Sequence, residues 1–174
     1  FGPPNNPISR NDGWAVGVGF DTSSPCGTPL TCGLAFHWDG VAWRDHLEGL
    51  SGANAGPLRS VFMVSSTDVW AVGSDVAGSM GVFWHWTGVP GLGGGWSFQG
   101  NAPGTPLFSV FMVSQTEGWA VGAAGAIYHY FGGAWNKVSS PVSTRLRSVF
   151  MRSPTEGWAV GDGGIILHFA SATW

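Results

Sequence analysis

Charged residues are scarce in this sequence. Asp, Glu, Lys and Arg together make up 10% of its 174 residues, whereas an average globular domain contains about 25%. Lys137 is the only lysine, and the seven basic residues form no stripe along the chain. A nucleic-acid-binding surface requires a concentration of positive charge. The composition therefore argues against a nucleic-acid partner.

Long apolar segments are also missing. Hydrophobic residues account for 44% of the chain, but they occur in short runs. None of these runs approaches the roughly 20 residues that a membrane-spanning helix needs, so we predict no transmembrane segment. The first residues do not have the pattern of a signal peptide, and we therefore expect the chain to begin as a mature or truncated product.

Cysteine is limited to Cys26 and Cys32. Their spacing matches neither a Cys-x-x-Cys redox pair nor a zinc-binding motif. A disulfide between them would brace a loop that has no core of its own; the alternative is two free thiols in a cytosolic protein. We predict the disulfide, because few lysines and many Gly, Ser and Thr residues suggest a secreted chain. The expected location is extracellular, at the cell surface or periplasmic.

What the sequence does contain is a repeat. The tetrapeptide Trp-Ala-Val-Gly occurs four times, beginning at Trp14, Trp70, Trp119 and Trp158. Successive copies lie 56, 49 and 39 residues apart, close to the roughly 40–50 residues of a propeller blade. The additional residues of the first two units lie at 18–33 and 88–95, and we expect them to form insertions on one rim of the propeller.

Each unit predicts β-strands. Its segments are short, rich in Val, Phe, Ile, Trp and Tyr, and bounded by turn-forming residues. The third strand is largely apolar on both faces, so each sheet must be covered on both sides. Four-stranded sheets stacked around an axis satisfy this requirement; a β-sandwich is the alternative, but it does not need four copies of one sequence. We predict an all-β, β-propeller-type repeat as a single domain over residues 1–174, with units at about 1–57, 58–106, 107–145 and 146–174.

The repeats resemble those of a known family. The runs Gly118–Trp135 and Gly157–Trp174 each contain Gly-Trp-Ala-Val-Gly, a strand with a central His, and a turn that ends in Trp. In this they are similar to the propeller repeats of the photosystem II stability/assembly factor family. Residues 39–43, Asp-Gly-Val-Ala-Trp, resemble the tail of the Asp-box turn of bacterial neuraminidase-type repeats. The resemblance implies a β-propeller and an extracytoplasmic location, but it does not identify an activity, because one fold can support many functions.

The resemblance also raises the question of closure. Propellers of this family usually have more than four blades and close by pairing strands from the two termini. Here the fourth unit stops at its closing Trp174, and residues 1–7 contain three prolines, which disfavour a strand. We therefore expect an array of blades that is open at one or both ends and is completed by a longer polypeptide or by another subunit.

One histidine recurs at the same position of every unit: His37, His85, His129 and His168. Four imidazoles on one ring are a conceivable metal site. The alternative is a framework residue that hydrogen-bonds a neighbouring turn, and one His per repeat is what such a role predicts. We favour the framework role and predict neither a metal ion nor a cofactor.

Arginines mark a candidate binding patch. Arg59 and Arg147 occupy the same position at the start of the first strand, Phe108 replaces them in the third unit, and Arg152 follows in the fourth. First strands line the centre of a propeller, so these guanidinium groups are candidates for an anion- or protein-binding surface. The resemblance implies the same, because the assembly-factor family binds partners through an Arg-rich face.

Acidic residues recur two positions before each repeated Trp: Asp12, Asp68, Glu117 and Glu156. Paired carboxylates suit general acid–base chemistry, but an acidic residue in every unit is better explained by turn formation. Sialidase-type hydrolysis also needs a nucleophilic tyrosine, and the only tyrosines, Tyr128 and Tyr130, occupy aromatic positions of the repeat. We predict that the chain is not an enzyme.

These observations predict a non-catalytic extracytoplasmic binding or assembly scaffold: a subunit of a surface filament, an envelope layer or a membrane-associated complex. Its partner would be another protein or further copies of itself. Two alternatives stay open. The Asp-box-like turn and the eleven tryptophans suggest a glycan-binding or glycan-hydrolysing propeller, and the family resemblance alone suggests a photosystem assembly factor.

Overall fold

The computed structural model describes residues 11–20 and 31–174, which form four antiparallel sheets. The first sheet contains β1 (Gly13–Phe20), β2 (Thr31–Trp38) and β3 (Trp43–Asp45). The second contains β4 (Leu58–Ser65), β5 (Asp68–Ser74), β6 (Gly81–Thr87) and β7 (Gly95–Ala102). The third contains β8 (Leu107–Ser114), β9 (Glu117–Gly122), β10 (Ile127–Phe131) and β11 (Ala134–Val138). The fourth contains β12 (Leu146–Ser153), β13 (Glu156–Gly161) and β14 (Ile166–Ala170).

Each sheet is an up-and-down meander of one sequence unit, and the sheets are called blades 1 to 4 in chain order. Neighbouring strands within a blade are consecutive in sequence, so tight turns suffice to connect them. Short 3-10 turns, Ala123–Gly125 and Asp162–Gly164, join the second and third strands of blades 3 and 4. None of the described residues belongs to a helix long and apolar enough to cross a bilayer.

The cores lie between the blades, which explains why both faces of a strand are apolar. In β6, Phe83 packs in the cluster shared with blade 3, whereas Trp84 and Trp86 pack in the cluster shared with blade 1. All three side chains are at most 2% exposed. Alternate residues of a strand point to opposite faces, so a strand between two neighbours needs apolar residues at every position. The predicted all-β, propeller-type architecture is confirmed.

The first strands of blades 2, 3 and 4 lie side by side at the inner edge of the array. The Ser60 hydroxyl accepts a hydrogen bond from the Val110 amide, and the Ser109 hydroxyl accepts one from the Val149 amide, both at 3.2 Å. These bonds link β4 to β8 and β8 to β12 in the same way. The serine that recurs in each repeat therefore aligns one inner strand with the inner strand of the next blade, in addition to the register within each blade.

Over residues 11–20 and 31–174 the array is open, as the sequence predicts. Blade 4 has three strands, and β14 pairs with β13 alone among the named strands of the described residues. Its outward face exposes Phe150, Val160 and Ile166, whose side chains are 52%, 41% and 71% exposed. Blade 1 likewise contributes three strands to the described part of the chain.

The predicted insertions differ in how far they are described. The insertion at residues 88–95 connects β6 to β7, with Gly88, Gly91 and Gly93 at positive φ and Leu92 83% exposed. Residues 21–30, the tip of the insertion at 18–33, lie outside the described residues. Cys32 is buried in β2, but Cys26 belongs to that tip, and the disulfide therefore stays a prediction.

Candidate functional site

The starts of the three inner strands bring arginines together around one aromatic ring. The first residues of these strands, Leu58, Leu107 and Leu146, are at most 3% exposed in the cores between blades. A register shift directly follows the leucine in each strand, so the second residue is the extra residue of a β-bulge. In blades 2, 3 and 4 the second residues are Arg59, Phe108 and Arg147.

The distances define a compact arginine cluster, consisting of Arg59, Phe108, Arg145 and Arg147. The guanidinium carbons lie 5.4 Å (Arg59), 5.3 Å (Arg145) and 5.9 Å (Arg147) from the centre of the Phe108 ring. Each distance is within the roughly 6 Å over which a guanidinium is attracted to an aromatic face. Three blades thus supply one continuous basic surface.

Only one carboxylate opposes these charges among the described residues. Arg147 donates two hydrogen bonds to Asp162, from Nε at 2.7 Å and from Nη2 at 3.2 Å, and Nη1 of Arg145 lies 3.9 Å from the same carboxylate. The hydrogen bond from Arg147 lowers the pKa of Asp162 below its ordinary value and raises the pKa of Arg147. Arg59 has no acidic partner in the described part of the chain. The cluster therefore carries two positive charges in excess.

The structure separates the arginines that the sequence singled out. Arg59 and Arg147 lie together in the cluster, but Arg152 is at the opposite end of β12, where it donates a hydrogen bond to Glu156. Arg145 was missed. The sequence marks Arg145 by a departure from the repeat. The residue before the inner-strand leucine is Pro57 in blade 2 and Pro106 in blade 3, but it is an arginine in blade 4.

The recurring histidines are engaged within their own blades. His37 Nε2 lies 2.7 Å from Asp12, His85 Nε2 lies 2.8 Å from Asp68, and His129 Nε2 lies 3.4 Å from Glu117. His168 Nε2 is 3.9 Å from Glu156. Within the described ranges, no three His, Cys, Asp or Glu side chains gather into a metal-binding group. This geometry supports the framework role of the histidines.

The recurring acidic residues differ from the sequence expectation of turn formation. Asp68 is directly opposite Thr87 in the β5–β6 pair, and His85 lies two residues before Thr87. Asp68 and His85 are therefore diagonal neighbours on one face of the sheet. The carboxylate accepts a hydrogen bond from Nε2 of this imidazole at 2.8 Å, so its role in the repeat is to hold the third strand against the second.

The Asp-box-like turn is formed by hydrogen bonds to one carboxylate. Asp39 accepts hydrogen bonds from the amides of Ala42 and Val41, at 2.8 and 2.9 Å, and from Nε of Arg44 at 2.6 Å. The Ala42 amide, followed by Arg44 and the Val41 amide, lowers the pKa of Asp39 below its ordinary range. All three partners are local, so the turn fixes the β2–β3 connection and builds no site beyond it.

Two solved structures share this architecture. One is described as YCF48 from Cyanidioschyzon merolae, with a TM-score of 0.58 and 15% sequence identity over 87% of this chain. The other is described as YCF48 bound to D1 peptide, with a TM-score of 0.58 and 18% identity over 94% of this chain. The fold is that of a β-propeller, as in these two structures. At these identities the likeness concerns the fold alone.

The match to YCF48 covers part of those structures. It includes 50% of the first chain and 49% of the second, so the chain spans about half the length of the solved structures that it matches. No family model matches the sequence, and no curated protein matches it either. The sequence-based resemblance to photosystem II assembly-factor propellers is thus confirmed at the level of the fold.

Proposed function

We propose that this chain is a non-catalytic, protein-binding propeller module that holds an acidic peptide segment at the arginine cluster. The observation that carries the proposal is the convergence of Arg59, Arg145 and Arg147 on the ring of Phe108, with Asp162 as their one described counter-charge. A planar guanidinium binds a carboxylate through two parallel hydrogen bonds. The pairing of Arg147 with Asp162 already shows this geometry within the cluster.

The position of the cluster suits a peptide ligand. Its arginines are set on adjacent inner strands, and the hydrogen bonds from Val110 to Ser60 and from Val149 to Ser109 fix the spacing of these strands. Binding groups on strands that are locked to one another lose little conformational entropy on binding. The Phe108 ring, which is half-buried, adds an apolar surface between the charges.

The comparison supports an assembly-factor role over the other predicted roles. YCF48 is a photosystem II assembly factor, and one of the similar structures is YCF48 bound to D1 peptide. We therefore propose a photosystem protein under assembly as the specific candidate for the partner of this chain. This role has more support than a structural subunit of a surface filament or envelope layer. An extracytoplasmic location is part of the proposal and is supported by the low content of charged residues and the single lysine.

A glycan-binding role has less support from the described residues. Trp70, Trp86, Trp96 and Trp119 are at most 4% exposed because they pack between blades. A carbohydrate-stacking platform needs exposed aromatic faces. Among the described tryptophans, Trp43 is the most exposed, at 53%.

Peptide binding is tested by fluorescence anisotropy with two labelled probes. The first probe is a ten-residue peptide with four glutamates, and the second is the D1 peptide of the solved complex. We expect Arg59→Ala to weaken binding of the glutamate peptide about 5- to 30-fold, because one charge-assisted hydrogen bond contributes about 1–2 kcal/mol at an exposed site. Raising the ionic strength from 0.1 to 1 M should weaken binding of the wild-type chain as well.

The matched control is Arg152→Ala, which removes an exposed arginine from the other end of β12. We expect its affinity for the glutamate peptide to equal that of the wild type. Equal losses in the Arg59 and Arg152 variants would contradict the proposed site. Binding of the glutamate peptide without binding of the D1 peptide would retain the site and rule out D1 as its partner.

A further inference from the structure

The outward face of blade 4 has the composition of a blade interface, and no blade among the described residues covers it. This face, here the blade 4 face, consists of Phe150, Trp158, Val160 and Ile166. Val160 and Ile166 are opposite each other in the β13–β14 pair, as Val121 and Ile127 are in blade 3. Val121 and Ile127 are fully buried, because blade 4 covers them. Val160 and Ile166 are 41% and 71% exposed.

The three interfaces between blades show what such a face binds. The repeated Trp of one blade contacts the third-strand aromatic residue and the closing Trp of the next blade. Trp70 lies 4.6 Å from Tyr130 and 5.6 Å from Trp135 between ring centroids. The same arrangement pairs Trp14 with Trp86 and Trp96, at 4.8 and 5.4 Å, and Trp119 with Phe169 and Trp174, at 4.7 and 5.2 Å. Trp158 is the fourth member of this series, and its described ring contact is the stack on His168 of its own blade.

The inner strands show the same periodicity. Phe62 contacts Phe111 at 4.7 Å, and Phe111 contacts Phe150 at 5.2 Å, so the row of phenyl rings continues as far as the exposed Phe150. Ser148 occupies the position of Ser60 and Ser109, whose hydroxyls accept the amide hydrogen bonds of the next inner strand. Ser148 is exposed. The face therefore fits a blade that supplies an inner strand, a third-strand aromatic residue and a closing Trp.

The described part of blade 1, at the other end of the chain, supplies the last two of these three groups. The side of blade 1 that faces away from blade 2, here the blade 1 face, consists of Phe36, Trp38 and Trp43. Trp38 and Trp43 are the third-strand aromatic residue and the closing Trp of their unit, and their rings lie 5.8 Å apart. The equivalent rings of Trp86 and Trp96 in blade 2 are also 5.8 Å apart. Trp86 and Trp96 are buried against blade 1, whereas Trp43 is 53% exposed.

We propose that the blade 4 face of one copy of this chain packs against the blade 1 face of a second copy, head to tail. Trp158 of the blade 4 face and Trp38 and Trp43 of the blade 1 face hold the positions of the rings that meet in the three internal interfaces, so this contact uses the same aromatic pairing. Two copies supply eight blades, within the range of about four to eight that closed propellers contain. A head-to-tail contact that closes on itself gives a ring, and the chain matches about half of each YCF48 structure.

The test is the mass of the 174-residue chain by sedimentation equilibrium. We expect twice the monomer mass of 18.2 kDa for the wild type. Ile166→Glu places a charge on the blade 4 face, and Trp43→Glu places one on the blade 1 face; each variant alone should be monomeric. Leu92→Glu, at an 83% exposed position of the β6–β7 insertion, is the matched control and should remain dimeric.

Mixing the two variants distinguishes head-to-tail contact from other arrangements. Ile166→Glu retains an intact blade 1 face and Trp43→Glu an intact blade 4 face, so an equimolar mixture should form a complex of one copy of each. This recovery also shows that both variants are folded. A monomeric wild type at millimolar concentration would overturn the proposal and would leave a further blade of a longer polypeptide as the partner. A dimer that persists in Trp43→Glu, or a mixture that stays monomeric, would also overturn it.

The outcome is separable from that of the peptide experiment. Arg59→Ala should sediment as the wild type does, because the arginine cluster lies on blades 2 to 4 and contributes no residue to either face. A wild type that binds the peptide but stays monomeric would therefore contradict the head-to-tail contact and leave the peptide site standing, and a dimeric wild type that does not bind the peptide would do the reverse.

Discussion

The indole of Trp119 lies flat on the imidazole of His129, with ring centroids 4.1 Å apart and planes 10° from parallel. Trp70 and His85 repeat the stack in blade 2, at 4.0 Å and 12°. In each case a carboxylate two residues before the Trp approaches Nε2 of the histidine. The recurring Trp, His and acidic residue thus form one structural unit that joins the second and third strands of a blade.

Removing the histidine from this unit should destabilise the protein. His85→Ala removes the stack on Trp70 and leaves Asp68 without its hydrogen-bond partner. We expect a loss of about 2 kcal/mol in the free energy of unfolding, measured by chemical denaturation. His168→Ala is the control, since this side chain is half-exposed and 3.9 Å from Glu156; it should lose less than about 1 kcal/mol. Equal losses in the two variants would contradict the assignment.

Asp75 should make stability depend on pH. Burial raises its pKa, but hydrogen bonds from the Met80 and Ser79 amides and from the Ser79 hydroxyl outweigh this effect and lower the pKa below 3.8. A lowered pKa in the folded state means that the ionised group stabilises the fold above pH 3.8 and that this stability is lost as the pH falls through the folded-state pKa.

Asp75→Asn should therefore cost about 1–3 kcal/mol in the free energy of unfolding at pH 7. The difference from the wild type should shrink as the pH is lowered below 3.8, and thermal unfolding across pH 2–7 would measure it. A difference that is constant with pH would show that the carboxylate charge is not the source of the stability.

Two glycines at positive φ should respond differently to substitution. Gly125 has a φ of 70°, and a Cβ at this position would lie 1.9 Å from the carbonyl oxygen of Val142. Gly132 has a φ of 66°, and no atom lies within 4 Å of its added Cβ. Gly132→Ala should cost about 1 kcal/mol, from the backbone conformation alone. Gly125→Ala should cost clearly more, because the backbone of the β11–β12 connection must also move; equal midpoints of urea denaturation would contradict this.

The hydrogen bonds between inner strands should contribute to stability where a next blade is present. Ser109→Ala removes the acceptor of the Val149 amide and should cost about 1–2 kcal/mol. Ser148→Ala, tested in the monomeric Ile166→Glu background, removes an exposed hydroxyl at the equivalent position and should change stability by less than about 0.5 kcal/mol. Urea denaturation of both variants in that background makes the comparison direct.

The sequence predicted the parts of the fold that the repeat encodes locally. Strand positions follow from the alternation in segments such as Val82 to Trp86, and the packing of both faces follows from the absence of a polar face. The fold predictions succeed because each residue has the same neighbours in every blade. The framework role of His129 is a prediction from its recurrence, and its contact with Glu117 supports it.

The candidate site depends on contacts between residues that are far apart in sequence, and the sequence pattern does not reveal such contacts. Arg59 and Arg145 are 86 positions apart in sequence, and both reach Phe108 only because β4, β8 and β12 align at their first residues. Arg152 shares β12 with Arg147, but it is five residues further along, at the opposite end of the strand. The pairing of Asp68 with His85 was missed for a related reason, since it rests on the diagonal register of β5 and β6.

The most direct test of the central claim is a double-mutant cycle between the arginine cluster and its ligand. Wild type and Arg59→Ala would be titrated with the four-glutamate peptide and with four variants, each carrying one Glu→Gln change. We expect at least one glutamate to couple to Arg59 by about 1 kcal/mol or more, and we expect the same changes to show no coupling to Arg152→Ala. Coupling energies near zero for every glutamate with Arg59 would contradict the claim that this cluster binds acidic peptides.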